Sequence, residues 1–156
     1  MSTTATTETV DTRSQAEYNG LCSQKSSKEA EASAKEAYIA ELQEKLDRLD
    51  TAYANLKAAK EAIEDDWKDN VKKCYKDFND GDYMWDGIAY DNVVTAVDTS
   101  IKWGYDFLIN QADRMLDDIG DLRTEYENKI LDETTILSGL WKAINSLWDS
   151  IKNYWN

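Results

Sequence analysis

The chain has 156 residues, a formal net charge of −13, no proline, six glycines, two cysteines and no histidine. That length suits one domain, and an acidic chain without a basic patch excludes the counterion-displacing surface of a nucleic-acid binder. The lack of histidine excludes Ser-His and Cys-His nucleophile pairs and the usual zinc sets, and no glycine-rich phosphate loop is present, so no enzyme, metal site or cofactor is expected.

Residues 1 to about 15 are rich in Thr and Ser, and the polar segment 1–30 is expected to be mostly disordered. Helix is predicted to begin between about 16 and 35, where Ala30, Ala32, Ala34 and Ala37 favour it and Gly20 and Ser26-Ser27 weaken it. This region lacks the apolar stretch of a secretory signal, and no segment reaches the roughly 20 apolar residues of a membrane span. From about 35 to 78 the pattern predicts one long helix. Leu42, Leu46, Leu49, Tyr53, Leu56, Ile63 and Trp67 alternate at three- and four-residue steps, with Lys60 the polar interruption of the seam. Cys22 lies in polar surroundings and Cys74 on this helix, and both read as free thiols of a reducing compartment.

Residues 79–88, NDGDYMWDGI, carry turn chemistry: glycine for positive φ, Asn and Asp for local bonds to the backbone. Their aspartates do not form a calcium loop, because placing Gly81 at position six puts Lys76 and Phe78 at ligand positions. A second helix is predicted from about 89 to 133, with Val94, Val97, Ile101, Leu108, Met115, Ile119, Leu122 and Tyr126 as its seam. The matched lengths predict an antiparallel hairpin over 31–133, closed by Trp85-Asp86-Gly87, where Gly87 reverses the chain and Trp85 folds over the tip. Gly104, on the second seam, is expected to admit a close neighbour.

Residues 132–139, DETTILSG, interrupt the pattern, and Thr134 or Thr135 is placed to cap a third, amphipathic helix over 136–156. There Leu137, Ile144 and Ile151 repeat every seven residues. So do Leu140, Leu147 and Tyr154, and so do Trp141, Trp148 and Trp155. Such a helix packs on the hairpin, docks a partner, or lies on a membrane. Membrane binding is the weakest of these, since only Lys142 and Lys152 are basic there. The fold class is therefore all-α: a long antiparallel helical hairpin with a Trp-lined C-terminal helix.

The turn Met84-Trp85-Asp86-Gly87-Ile88-Ala89 between two long helices, with the stretch Tyr105 to Ile119 after it, resembles the W-x-G family of helical-hairpin proteins. These are handled by type VII secretion systems of Gram-positive bacteria. Within it the chain is most similar to the YwqH-like branch that accompanies LXG-type toxins, over roughly residues 36–133. The resemblance implies a targeting chaperone that binds the helical N-terminal domain of such a toxin, often beside a second small helical protein. It also implies a cytoplasmic location before export, and secretion with the partner. Family export signals take the form Tyr-x-x-x-Asp/Glu after the second helix, whereas here Tyr126 is followed by Ile130. On this reading the partner-binding residues are Leu42, Leu46, Leu49, Tyr53, Leu56, Ile63, Val97, Ile101, Leu108, Met115, Ile119, Leu122, Trp141, Ile144, Trp148, Ile151 and Trp155. Two alternatives stand beside it: a structural coiled coil that self-associates, as in a homodimer, and a membrane-active protein working through residues 136–155.

Overall fold

A computed structural model of the chain describes residues 5–73 and 88–154, with side chains described over 15–73 and 91–154. Trp85 and Gly87 of the expected turn, Cys74 and Trp155 lie outside the described residues. Every described element is helical. Helix α1 runs Ala5–Asp66 and passes into a π turn at Trp67–Val71. Helix α2, Ile88–Ala96, passes through a second π turn at Val97–Ile101 into α3, Lys102–Lys152. No helix among the described residues is long and apolar enough to cross a membrane.

Two expectations are corrected. The segment 1–30 is not mostly disordered: α1 begins at Ala5 and includes Gly20 and Ser26-Ser27. The stretch 132–139 is not a break: α3 passes through it without interruption, so the Trp-lined segment extends α3 and is not a separate helix. Thr134 and Thr135 do not cap a helix start. Their hydroxyls donate back to the carbonyls of Ile130 at 2.7 Å and Leu131 at 3.0 Å, the mid-helix behaviour of threonine.

The reason is a seam that local composition disguises. On α1 the residues turned inward step by three and four from Leu21 through Lys25, Lys28, Ala32, Lys35, Ile39 and Leu42 to Leu46. They go on through Leu49, Tyr53, Leu56, Lys60 and Ile63 to Trp67. On α3 the same stepping runs from Tyr105 through Ile109, Ala112, Leu116, Ile119, Arg123, Tyr126, Ile130 and Glu133. It continues through Leu137, Leu140, Ile144, Leu147 and Ile151 to Tyr154. Packing of such a face outweighs the modest cost of Gly, Ser and Thr within it.

The chain divides into two compact units, one of Met1–Lys45 with Tyr126–Asn156, the other Leu46–Glu125. In the first, Ala32, Leu140 and Ile144 form a buried cluster with Leu137 packed on it, and Leu42 and Ile151 are also buried. Burying a leucine as fully as Leu42 contributes roughly 2 kcal/mol. Lys35 Nζ donates to Glu133 Oε2, and the Tyr154 hydroxyl donates to Glu17 Oε2 at 2.8 Å. Pairing 17 with 154 and 35 with 133 makes the segments antiparallel.

The second unit is antiparallel too. Asp50 pairs with Arg123, Lys60 with Asp113, and the Trp67 ring packs at a tilt against Tyr105 with ring centroids 5.3 Å apart. Both units therefore show the helical-hairpin pairing of an all-α fold. The π turn at Val97–Ile101 changes which residues face inward. Its extra residue makes the inward step from Val97 to Tyr105 eight residues rather than seven, so the α3 seam falls one residue later than a uniform repeat would place it.

Candidate functional site

That shift decides what the second unit shows to solvent. Ile101, Leu108, Met115 and Leu122, expected on the seam, are instead 42, 51, 52 and 44% exposed. The last three each stand one residue before the true seam residues Ile109, Leu116 and Arg123. The positions that precede the α1 seam residues Tyr53 and Lys60 are Ala52 and Ala59, both exposed. In an antiparallel pair these flanking positions share one side, so the unit has a largely apolar flank: bulky side chains along α3 and methyl groups along α1, with Asp66, which precedes Trp67, at one end of the same side.

The other flank is charged. Arg123 Nε lies 2.5 Å from Asp50 Oδ1. Lys60 Nζ is 2.6 Å from Asp113 Oδ1 and 3.5 Å from Glu64 Oε1. These groups border a groove of about 320 Å³ lined by Tyr53, Lys57, Lys60, Glu61, Glu64, Asp113, Leu116 and Asp117. The hydrogen bond to Asp113 holds the Lys60 ammonium charged above the ordinary lysine range. Lys60, the polar interruption of the seam, is thereby satisfied across the pair; Arg123 faces Asp50 as an ion pair in which its buried Nε makes no hydrogen bond, and its guanidinium sits 5.7 Å from the Tyr53 ring.

At the far end of this unit the Tyr105 hydroxyl donates to Asp66 Oδ2. The bond pushes the phenol pKa up and, together with one from Asn70 Nδ2 at 2.7 Å, pulls the Asp66 carboxyl down. Gly104 admits no close neighbour: a Cβ built there would meet nothing within 4 Å. On the outer side of α3, Trp103 and Phe107 stack on each other with centroids 5.4 Å apart.

The first unit carries the tryptophans. Trp141 and Trp148 are exposed beside the buried Ile144, and line a shallow groove of about 250 Å³ with Lys25, Glu29 and Asn145. Lys25 Nζ sits 5.1 Å and Lys152 Nζ 5.0 Å from the Trp148 ring centroid, two cation–π pairs on one ring.

The expected partner-binding residues thus fall into two groups. Leu42, Ile144 and Ile151 are buried. Leu46, Leu49, Tyr53, Leu56, Ile63, Val97 and Ile119 are half-buried, turned toward the chain's own helix pair. Ile101, Leu108, Met115, Leu122, Trp141 and Trp148 remain open to solvent. Sequence reasoning missed Tyr105, Ile109, Ala112, Leu116 and Ile130 as seam residues, and Ala52 and Ala59 as the far edge of the apolar flank. The unbroken stepping from Tyr105 to Tyr154 was there to find, once Arg123 and Glu133 are admitted as seam residues with partners across the pair. Compared with known proteins, the chain matches no family model, no curated protein and no solved structure.

Proposed function

We propose that the chain is a non-enzymatic adaptor: a targeting chaperone that binds the helical N-terminal domain of an LXG-type toxin for type VII secretion. A second small helical protein is a further candidate member of the complex. The observation that carries this reading is the apolar flank of Ile101, Leu108, Met115 and Leu122, left open although the seam is already covered. A helix with apolar residues on its seam and on one flank has surface for more than one neighbour. The W-x-G tripeptide between two long helices supports the family assignment.

The test is coexpression with the helical N-terminal domain of a toxin encoded beside this chain. A stoichiometric complex that survives size-exclusion chromatography is expected. Recovery of the chain alone, with every such domain tried, overturns the reading. The same apolar flank also favours the alternative, a self-associating coiled-coil protein, which predicts a homo-oligomer in sedimentation without any partner.

A further inference from the structure

We infer that the apolar flank of the second unit is the docking face for one amphipathic helix of another chain, with basic residues bordering that helix's apolar stripe. The inference rests on the adaptor reading and adds to it a face and a partner chemistry. Ile101, Leu108, Met115 and Leu122 recur every seven residues, so they form a straight row about 32 Å long. A helix with its own seven-residue repeat matches such a row along its whole length.

Across the row α1 offers the methyl groups of Ala52 and Ala59, which let an incoming helix lie close to both members of the pair there, and, before Trp67, the exposed Asp66. The helical positions bordering the row on its outer side are Gly104, Gln111, Asp118 and Glu125, uncharged at one end and acidic at the other, on a chain whose net charge is −13. Lys or Arg beside the incoming stripe meets that rim favourably. A second copy of this chain would bring the same acids to the same rim, so the charge pattern selects a different, basic-flanked chain. The opposite flank lacks the apolar row and carries the pairs Asp50–Arg123 and Lys60–Asp113.

The probe is a fluorescein-labelled synthetic helix of about three heptads, apolar at its seam positions and with Lys at the flanking ones. A second version carries Glu in place of Lys. Anisotropy titration with the full chain is expected to show that the Lys peptide binds and the Glu peptide binds more weakly, the gap closing as salt screens it. Met115→Ser and the Leu108→Ser/Leu122→Ser double variant are expected to weaken the Lys peptide by roughly tenfold or more. Trp141→Ser, in the other unit, leaves binding unchanged. Circular dichroism checks that the variants stay folded, as exposed positions should.

The inference is overturned if the Lys peptide fails to bind, if it binds all variants alike, or if the Glu peptide binds as well. It is also overturned if the chain forms a homodimer that Met115→Ser dissolves, which gives the flank to a second copy. A toxin complex untouched by Met115→Ser would reject this face and keep the adaptor. Peptide binding at the face without any toxin complex would do the reverse.

Discussion

Tyr105 does three jobs with one side chain. Its ring packs at a tilt against Trp67, its position opens the α3 seam, and its hydroxyl donates to Asp66. The bond has opposite consequences at the two ends of the pH scale. The Asp66 carboxyl is depressed in the folded chain, so its contribution is present above its unfolded pKa of about 3.9 and is lost as pH falls through the lower folded value. The Tyr105 phenol is raised, so its contribution is present below about 10 and is lost as pH rises through the higher folded value. Between those limits the bond is intact. The ultraviolet titration difference between the wild type and Tyr105→Phe is therefore expected to show one tyrosine ionising above its ordinary range. Asp66→Asn should move that tyrosine back down; an unchanged titration would mean the bond does not form. One residue away, Gly104→Ala meets open space and removes backbone freedom from the unfolded chain. It should stabilise the fold by about 1 kcal/mol, a rise of about 2–4 °C in melting temperature. A lower melting point would mean that a neighbour does approach there.

Among the elements, the continuity of α3 has the clearest physical origin. The inward steps Ile130, Glu133, Leu137, Leu140 keep phase straight through DETTILSG, and the two threonine hydroxyls bond back into the helix. Amide hydrogen exchange is expected to show protection running without a gap across 132–139; a fast-exchanging window there would restore a separate third helix. Leu42→Ala should cost about 2–5 kcal/mol, because Leu42 is fully enclosed. Met115→Ala, on the open flank, should stay within about 0.5 kcal/mol. Urea denaturation measures both. The long helices, their antiparallel pairing and the inward face of α1 from Leu42 to Trp67 were legible in the sequence, because Leu, Tyr, Ile and Trp recur there at helical spacing. The inward face of α3 was not. Arg123 and Glu133 look like solvent residues until Asp50 and Lys35 are known to meet them, and no residue type announces a π turn. The N-terminal part of α1 was hidden in the same way, since Lys25, Lys28 and Lys35 hold seam positions that their aliphatic stems can fill.

For the whole molecule, charge is the dominant quantity. Ion pairs between exposed side chains contribute at most about 1 kcal/mol each, whereas a net charge of −13 acts on the folded chain everywhere. Added salt screens that self-repulsion. Raising sodium chloride from low ionic strength to about 0.5 M should therefore raise the melting temperature, whatever it costs the pairs Lys35–Glu133 and Lys60–Asp113; a fall would show that the pairs outweigh the net charge. The same charge orients association. A net charge of this size favours a basic partner and disfavours contact between copies of the chain.

The two π turns also say where this chain tolerates a change of length. Each holds a single surplus residue that the helix has absorbed locally: the inward step from Ile63 to Val71 is eight residues, as is that from Val97 to Tyr105. Removing one residue from either turn leaves a seven-residue step and an ordinary α-helix, with the faces on both sides still aligned. The same deletion at Asp117 would rotate every later side chain of α3 by about 100° and pull its seam away from α1. Trp67–Val71 and Val97–Ile101 are thus the places where a codon can be lost without rewriting the rest of the helix.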